Sequence, residues 1–259
     1  MKSPANLSKE NIFGHAQRLR WIISHLNTND KIIEIGCGTG VMITLPLLKL
    51  GFSVVGIDSD RKSIEYGKEV FIREGVNPNG LRFQDALSLD LKADVIIVSE
   101  LLEHIPGEKL DSLLQVFKRA INKGGRMLVT VPNGRGWFEF ESLIWNKGKV
   151  GVFLEKARIK QNIIRFKRLI LGYDFETTLS ATLSESPHLQ RFTFISALEL
   201  LRRNDFLVRE ARGSVLFCGP LSNTLFTGIA PVMKMNCMLG RLFLRNSAGF
   251  YFLAEVSQC

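Results

Sequence analysis

The densest chemistry-bearing run in the chain is Ile32-Ile33-Glu34-Ile35-Gly36-Cys37-Gly38-Thr39-Gly40. A short apolar stretch enters three glycines at alternate positions. Glycine accepts left-handed backbone and lets a ligand approach the main chain closely. A helix starting just beyond would offer unpaired N–H groups. A dinucleotide fingerprint needs its next glycine where Val41 stands, so that reading fails. Glu34, two residues before the first glycine, would repel a pyrophosphate and suit a cationic ligand. The same run also reads as a bare strand-to-helix turn.

Two further acids sit where strands should end. Asp58, with Ser59 beside it, follows Val54-Val55-Gly56-Ile57. A carboxylate there accepts two hydrogen bonds from vicinal hydroxyls. It could equally cap the next helix, as could Ser59 or Asp60. Asp85, in Gln84-Asp85-Ala86, is placed to meet the amino group of a base, or is a solvated loop acid.

A third group is Ser99-Glu100-Leu101-Leu102-Glu103-His104. His104, four after Glu100, shares its face if the segment turns helically. Either His104 or His188 could take a proton from an acceptor hydroxyl. Two carboxylates and an imidazole, with His188 as a distant fourth donor, would also suit a divalent cation. The plainer hydrogen-bonding reading is preferred, and no metal is expected. His15 and His25 fall on an N-terminal helix and carry no expected chemistry.

The elements that must hold these residues alternate. Helix signals cover residues 9–26, 41–50 (with Pro46 inside), 61–74, 108–122 and 195–204. Strand signals cover 31–35, 53–57, 81–83, 94–98, 126–131, 206–217 and 250–256. This order predicts an α/β fold, a Rossmann-like doubly wound seven-stranded mostly parallel sheet with a helical lid insertion. Residues 1–259 read as a single domain and 134–190 as the insertion. Ligands of such sheets lie beyond the carboxyl ends of the strands, where the residues above are found.

Composition bounds the partners. Lys and Arg number 34 against 25 Asp and Glu, a net charge of +9 that favours anionic partners. The four cysteines form no Cys-x-x-Cys pair, which argues against zinc and a disulfide scaffold. The N-terminus lacks an apolar signal region. Residues 213–233 carry no charge but are broken by Pro220 and Pro231, so strand, loop and short helix are expected rather than a membrane span. Residues 156–170 are basic, and Ile159, Ile163, Phe166 and Ile170 recur at helical spacing, predicting an amphipathic helix with those four inward.

Taken together, these segments carry a resemblance. Glu34-Ile-Gly-Cys-Gly-Thr-Gly40, Val54-Val-Gly-Ile-Asp58, Asp94-Val-Ile-Ile-Val-Ser-Glu-Leu-Leu-Glu-His104 and the run from Gly124-Gly125-Arg126 into Thr130-Val131-Pro132-Asn133 resemble the class I S-adenosylmethionine-dependent methyltransferases, in the broad type-11/12 and ubiquinone-methyltransferase-like group. The resemblance implies S-adenosyl-L-methionine as cofactor. It implies Glu34, Gly36, Cys37, Gly38 and Gly40 around the methionine moiety, Asp58 and Ser59 at the ribose, and Asp85 and Ala86 at the adenine. Ser99 and Glu100 would line the site, with Glu100, His104 and His188 as candidate catalytic groups. Phe217-Cys218-Gly219-Pro220 and Ser247-Ala-Gly-Phe-Tyr-Phe252 resemble methyltransferases of bacterial surface-polysaccharide clusters. The expected activity is therefore O-methylation of a small molecule, lipid or saccharide by a cytoplasmic protein. Residues 156–170 would allow peripheral membrane contact. RNA methylation and a non-catalytic cofactor-binding module stand as alternatives. Nucleic acid is disfavoured because the basic residues concentrate in one insert and no RNA-binding module is present.

Overall fold

The computed structural model describes residues 10–147, 159–171, 180–183 and 187–257. Among them, seven strands form one sheet in the order β3-β2-β1-β4-β5-β7-β6. The strands are β1 (Lys31–Ile35), β2 (Ser53–Asp58), β3 (Leu81–Phe83), β4 (Ala93–Ser99), β5 (Ile121–Pro132), β6 (Phe206–Gly213) and β7 (Gly249–Val256). The first five pair in parallel, and β7 runs antiparallel to both β5 and β6. The strand order reverses between β1 and β4, which makes their carboxyl ends the switch point.

The helices are α1 (His15–Ser24), α2 (Thr44–Lys49), α3 (Arg61–Arg73), α4 (Gly107–Ala120), α5 (Trp137–Lys147), α6 (Ile159–Leu171), α7 (Phe194–Arg203), α8 (Pro220–Phe226) and α9 (Ala230–Leu242). Alternation along the central strands sends side chains to both faces of the sheet. Ile96 and Val98 of β4 join Leu113, Phe117 and Leu200 from α4 and α7. Val95 and Ile97 join Trp21, Ile22 and Leu47 from α1 and α2. Both faces of β4 are thus buried, which is why Asp94-Val-Ile-Ile-Val reads as a continuous apolar run.

Several boundaries differ from the sequence reading, each for a local reason. The first helix begins at His15 after Gly14, a left-handed N-cap (φ 72°), and the chain ahead of it is tied down by Ala16 N donating to Glu10 Oε1 (3.0 Å) and Phe13 N to Asn11 Oδ1 (3.0 Å). α2 begins at Thr44, so Pro46 falls in its first turn, where an N–H has no helical partner to lose. β5 begins at Ile121, directly after α4, and its pairing with β4 shifts register between Ala93 and Val95. β6 stops at Gly213, where a Cβ would stand 2.0 Å from the carbonyl oxygen of Gly240. Residues 213–233 leave the sheet as loop and short helix, as expected. No helix of the described residues is long and apolar enough to cross a membrane. Cys37, Cys218 and Cys237 are free thiols.

Between β5 and α7 the structure shows α5 and α6. The orientation of α6 corrects the amphipathic assignment at Phe166, while Ile159 and Ile163 are half-buried. Lys167 is buried and donates to the carbonyl oxygens of Thr224 (2.5 Å) and Thr227 (3.0 Å) at the end of α8. Phe166, expected inward, is exposed, as is Leu169. Carbonyls with no helical partner at a helix C-terminus attract a cation strongly enough to turn the lysine inward and an apolar residue out. The side chains of Lys160 and Ile170, and residues 156–158, lie outside what is described.

The glycine turn gives the fold a test. Gly40 has φ +71°, and a Cβ on it would meet Leu81 at 2.6 Å and Phe71 at 3.1 Å. Gly51 has φ +91° and nothing within 4 Å. Gly51→Ala should cost about 1–2 kcal/mol, from left-handed backbone alone. Gly40→Ala should cost about 1–3 kcal/mol more, through overpacking. Urea unfolding of the two variants checks this, and equal losses would show that close packing does not demand Gly40.

Candidate active site

The crest of β1 is closed by hydrogen bonds within the chain. Ile57 O accepts from both Gly36 N (2.9 Å) and Cys37 N (3.0 Å). Gly38 N donates to Asp58 Oδ2 (2.7 Å). Thr39 N donates to Ala181 O (2.9 Å), and Gly40 N to Cys37 O (2.8 Å). Each N–H from Gly36 to Gly40 is therefore taken within the chain. Residues 180–183 form a strap over the turn, with Thr39 Oγ1 donating to Ser180 O (2.7 Å) and Leu183 N to Ser63 Oγ (2.9 Å). A Cβ at Gly38 would stand 2.2 Å from Ala181 O, and one at Gly36 would stand 2.7 Å from Leu101 Cδ1. The glycines are required by the chain's own close approaches.

Asp58 resolves the choice left open by sequence. Asp60 caps α3, accepting from Lys62 N (3.2 Å) and Ser63 Oγ (2.6 Å). Asp58 instead lines a cleft of about 220 Å³ with Gly36, Ser59, Asp85, Ala86 and Leu101. Its oxygens accept from Gly38 N and Asp60 N, both at 2.7 Å, so each retains acceptor capacity toward the cleft. Asp85 is exposed and accepts from Leu87 N (2.8 Å). The cleft thus gathers Gly36, Asp58, Ser59, Asp85 and Ala86. Glu34, Cys37, Gly38, Gly40 and Ser99 are not among its lining. Cys37 packs in the core beside Ile64 and Phe71. Glu34 is buried and accepts from Thr44 Oγ1.

A second cleft, about 300 Å³, opens on the other side of the β4 crest. Phe13, His15, Arg18, Glu100, His188 and Tyr251 are among its lining residues. Adjacent residues divide the two clefts: Leu101 faces the first and Glu100 the second. Glu100 has a left-handed backbone, φ +54°, and is held by three elements. Its N–H donates to Thr130 O (2.9 Å), its Oε1 accepts from Thr130 Oγ1 (3.0 Å), and Arg18 Nη1 lies 3.3 Å from the same oxygen. Ser99 Oγ completes the chain at 2.9 Å from Thr130 Oγ1.

Glu100 therefore does not point with Glu103. The structure gathers Glu103, His104 and His188 instead, their donor atoms within 4.8 Å of one another. Leu189 N (2.7 Å) and Gln190 N (2.9 Å) donate to Glu103 O and bring the 187–190 segment over the turn. His104 Nδ1 donates to Pro187 O (3.1 Å), since a carbonyl only accepts. That leaves Nε2 as the lone-pair nitrogen of the neutral ring, 3.9 Å from Glu103 Oε1. Burial, then the charge of Glu100, pushes Glu103 up to about 9, and neither of its oxygens has a hydrogen-bond partner among the described residues. Burial, and His104 beside it, lower His188. These three residues have the donor set for a divalent cation, and an orphaned buried carboxylate fits one.

Sequence reasoning missed His15 and Arg18. Both lie on α1 and line the second cleft. Burial, and next Arg18, hold His15 down to about 4, and Asn11 Nδ2 stands 3.2 Å from its Nδ1. No linear spacing ties α1 to Glu100. Only the sheet order, which sets α1 against β5 and β7, does so.

Glu34 supplies a pH test. Burial pushes its carboxyl up to about 7 from 4.5, against the hydrogen bonds from Thr44. The folded state therefore holds this proton more tightly than the unfolded chain. Stability present below pH 4.5 is lost as pH rises through 7. Between pH 5 and pH 8 the wild type should lose about 2–3 kcal/mol more unfolding free energy than Glu34→Gln. Parallel stability curves for the two proteins would show that Glu34 is ionised throughout.

The comparisons with known proteins agree with this architecture. A family model described as a methyltransferase domain matches residues 12–203. A ubiquinone biosynthesis O-methyltransferase of Pelagibacter ubique is 32% identical over 111 residues, covering 40% of this chain and 43% of that protein. A sphingolipid C9-methyltransferase of Gibberella zeae is 26% identical over 136 residues, covering 51% of this chain and 25% of that protein. The chain thus spans less than half the length of these curated relatives. Among solved structures, a SAM-dependent methyltransferase from Methanosarcina mazei superimposes with TM-score 0.56 at 18% identity, covering 92% of this chain and 98% of that one. A magnesium protoporphyrin IX methyltransferase from Synechocystis, solved with bound SAH, gives TM-score 0.54 at 13% identity, covering 94% and 81%. With its sheet order, its crest of glycines and a family match over most of its length, the chain belongs to the methyltransferase-domain family, as a class I S-adenosylmethionine-dependent methyltransferase.

Proposed function

We propose that the protein methylates a hydroxyl oxygen of a small molecule, lipid or saccharide. The observation that carries this reading is the pair of clefts lined on one side by Leu101 and on the other by its neighbour Glu100. One cleft presents carboxylates suited to a ribose and an adenine. The other presents aromatic rings, Arg18 and His188 to an acceptor. S-adenosylmethionine, when bound, supplies a methyl group already activated by a positive sulfur. The protein's own work is to hold acceptor oxygen, methyl carbon and sulfur in line and to receive the acceptor's proton. Asp58 and Ser59 hold the ribose and Asp85 with Ala86 the adenine, while Glu34, Gly36, Cys37, Gly38 and Gly40 shape the methionine end. Ser99 and Glu100 set the boundary between the clefts.

His188 lines the acceptor cleft and takes the proton, oriented by His104. A proton acceptor is what oxygen chemistry requires, which favours the ubiquinone-type relatives over the sphingolipid C9 enzyme as guides. The buried carboxylate of Glu103, without a hydrogen-bond partner among the described residues, favours a second reading of the same chemistry, in which Glu103, His104 and His188 would hold a divalent cation and the cation would supply polarisation of the acceptor hydroxyl. Residues 134–190, containing α5 and α6, serve as the lid over the acceptor, with Phe166 and Leu169 turned outward for peripheral contact with a membrane.

Calorimetry with S-adenosylhomocysteine tests the cofactor assignment. Micromolar-range binding is expected, weakened by about 1–3 kcal/mol in Asp58→Ala, while NADH should not bind. Binding of NADH alone would overturn the reading. Cofactor binding with no turnover of any hydroxylated acceptor would leave a non-catalytic module.

His188→Ala should lower turnover by about a hundredfold at unchanged S-adenosylhomocysteine affinity. Glu103→Gln separates the two proton routes. A histidine base predicts turnover that survives this change and is indifferent to chelation by EDTA. A cation predicts that both treatments abolish turnover.

A further inference from the structure

A third cavity, about 440 Å³, lies between α1 and α9 and shares no lining residue with the cofactor or acceptor clefts. Gln17 and Arg20 of α1, with the Glu10 carboxylate ahead of that helix, form one wall. Met233, Lys234, Met238 and Arg241 line the other, a stripe at helical spacing on α9. Three observations describe its walls.

The first is charge. Arg20 is paired with Glu10 at 2.7 Å, but Lys234 and Arg241 have no carboxylate partner among the described residues. The second is repulsion behind the wall. Arg212 has a buried Nε with no hydrogen-bond partner among the described residues. Its guanidinium is held below the usual range by burial and by Arg241 beside it, with Tyr251 and Glu210 acting the other way. Glu210 is already engaged by Trp21 Nε1 (2.9 Å) and His25 Nε2 (3.1 Å). The third is an orphaned acceptor. Gln17 is 3% exposed, its Nε2 donates to Ser214 O (3.1 Å), and its Oε1 has no donor among the described residues. A buried acceptor left without a donor is costly, and it loads the α1 wall of the cavity.

We propose that this cavity binds an organic phosphate ester, its anionic oxygens on Lys234 and Arg241 and its apolar portion along Met233 and Met238. A phosphate needs cations without carboxylate partners, and a thioether surface accepts a flexible hydrocarbon. A lipid headgroup and a soluble phosphate ester share this chemistry. The site is independent of which acceptor is methylated.

The test is calorimetry of the full chain with 1-oleoyl lysophosphatidic acid, glycerol 3-phosphate and inorganic phosphate, in wild type and in Lys234→Gln/Arg241→Gln. Both substituted residues are exposed, and S-adenosylhomocysteine affinity, read on the same samples, reports that the variant is folded. The expected result is that at least one ester binds and weakens tenfold or more in the variant. Tighter binding of the lysophospholipid assigns the site to a lipid, and equal binding of the two esters assigns it to a soluble ester. Failure of both esters to bind, equal affinity in the variant, or inorganic phosphate binding as tightly as the esters would overturn the proposal. Loss of S-adenosylhomocysteine binding by the wild type would instead count against the proposed cofactor cleft and leave this site to be judged on the phosphates alone.

Discussion

The carboxylate of Asp58 ties the crest of the sheet together. One oxygen accepts the N–H of Gly38 from the turn after β1, and the other accepts the N–H of Asp60 at the entry to α3. Two loops from neighbouring strands are thereby fixed to one side chain. Gly36 and Cys37 are fixed alongside through the carbonyl of Ile57, the residue before it. An acceptor-only group with two oxygens is suited to this, because each oxygen can take a backbone donor and still accept another. Rotation of the carboxylate is stopped by bonds the protein already makes. A ligand hydroxyl would therefore meet acceptors whose direction is set before it arrives, which lowers the entropy lost on binding. The glycine turn contributes shape rather than free N–H groups, and its left-handed residues let Leu101, Leu81 and Ala181 come close.

Glu100 plays the matching part at the end of β4. A non-glycine residue at φ +54° costs about 1–3 kcal/mol and persists only where its surroundings hold it. Here α1 contributes Arg18, β5 contributes both the carbonyl and the hydroxyl of Thr130, and Ser99 braces the hydroxyl. The strained backbone turns Glu100 away from Glu103, so one carboxylate meets a guanidinium and the other is sealed in with two imidazoles. Two acids three residues apart thus acquire opposite environments. Glu103, buried with no hydrogen-bond partner among the described residues, is pushed up to about 9 by that burial, while Glu100 keeps a cation beside it.

How much of this could be read from the sequence follows the range of the forces involved. The strands were legible because burial on both faces leaves continuous apolar runs such as 94–98, and the crest because glycines at 36, 38 and 40 are a local signal. Asp58 was found with two readings, because Ser59 and Asp60 offered the same capping chemistry until the geometry chose Asp60 as the cap. Helix α6 was found, but with Phe166 on its buried side in place of Lys167. Periodicity counts apolar residues and is blind to the helix end that draws Lys167 inward. The contributions of His15 and Arg18 had no linear signal, because they depend on a helix laid across strands more than a hundred residues away in sequence.

That helix also explains how one element serves two cavities. Successive residues of an α-helix turn by about 100°, so His15 and Arg18 share one side and Gln17 and Arg20 another. The first pair faces the acceptor cleft and the second faces the cavity against α9. A helix used on two sides must be held by something other than its ligands. Here Gln17 Nε2 is bonded to Ser214 O, Trp21 Nε1 to Glu210, and the carbonyl of His25 just past its end accepts from Arg126 Nε (2.9 Å) and Nη2 (2.6 Å). Arg126 also reaches Asp30 at 2.6 Å, joining the loop before β1 to β5. These anchors lie on the sheet and on the segment after β6, so the position of Arg18 against Glu100 is set by the core of the fold rather than by the occupant of either cavity.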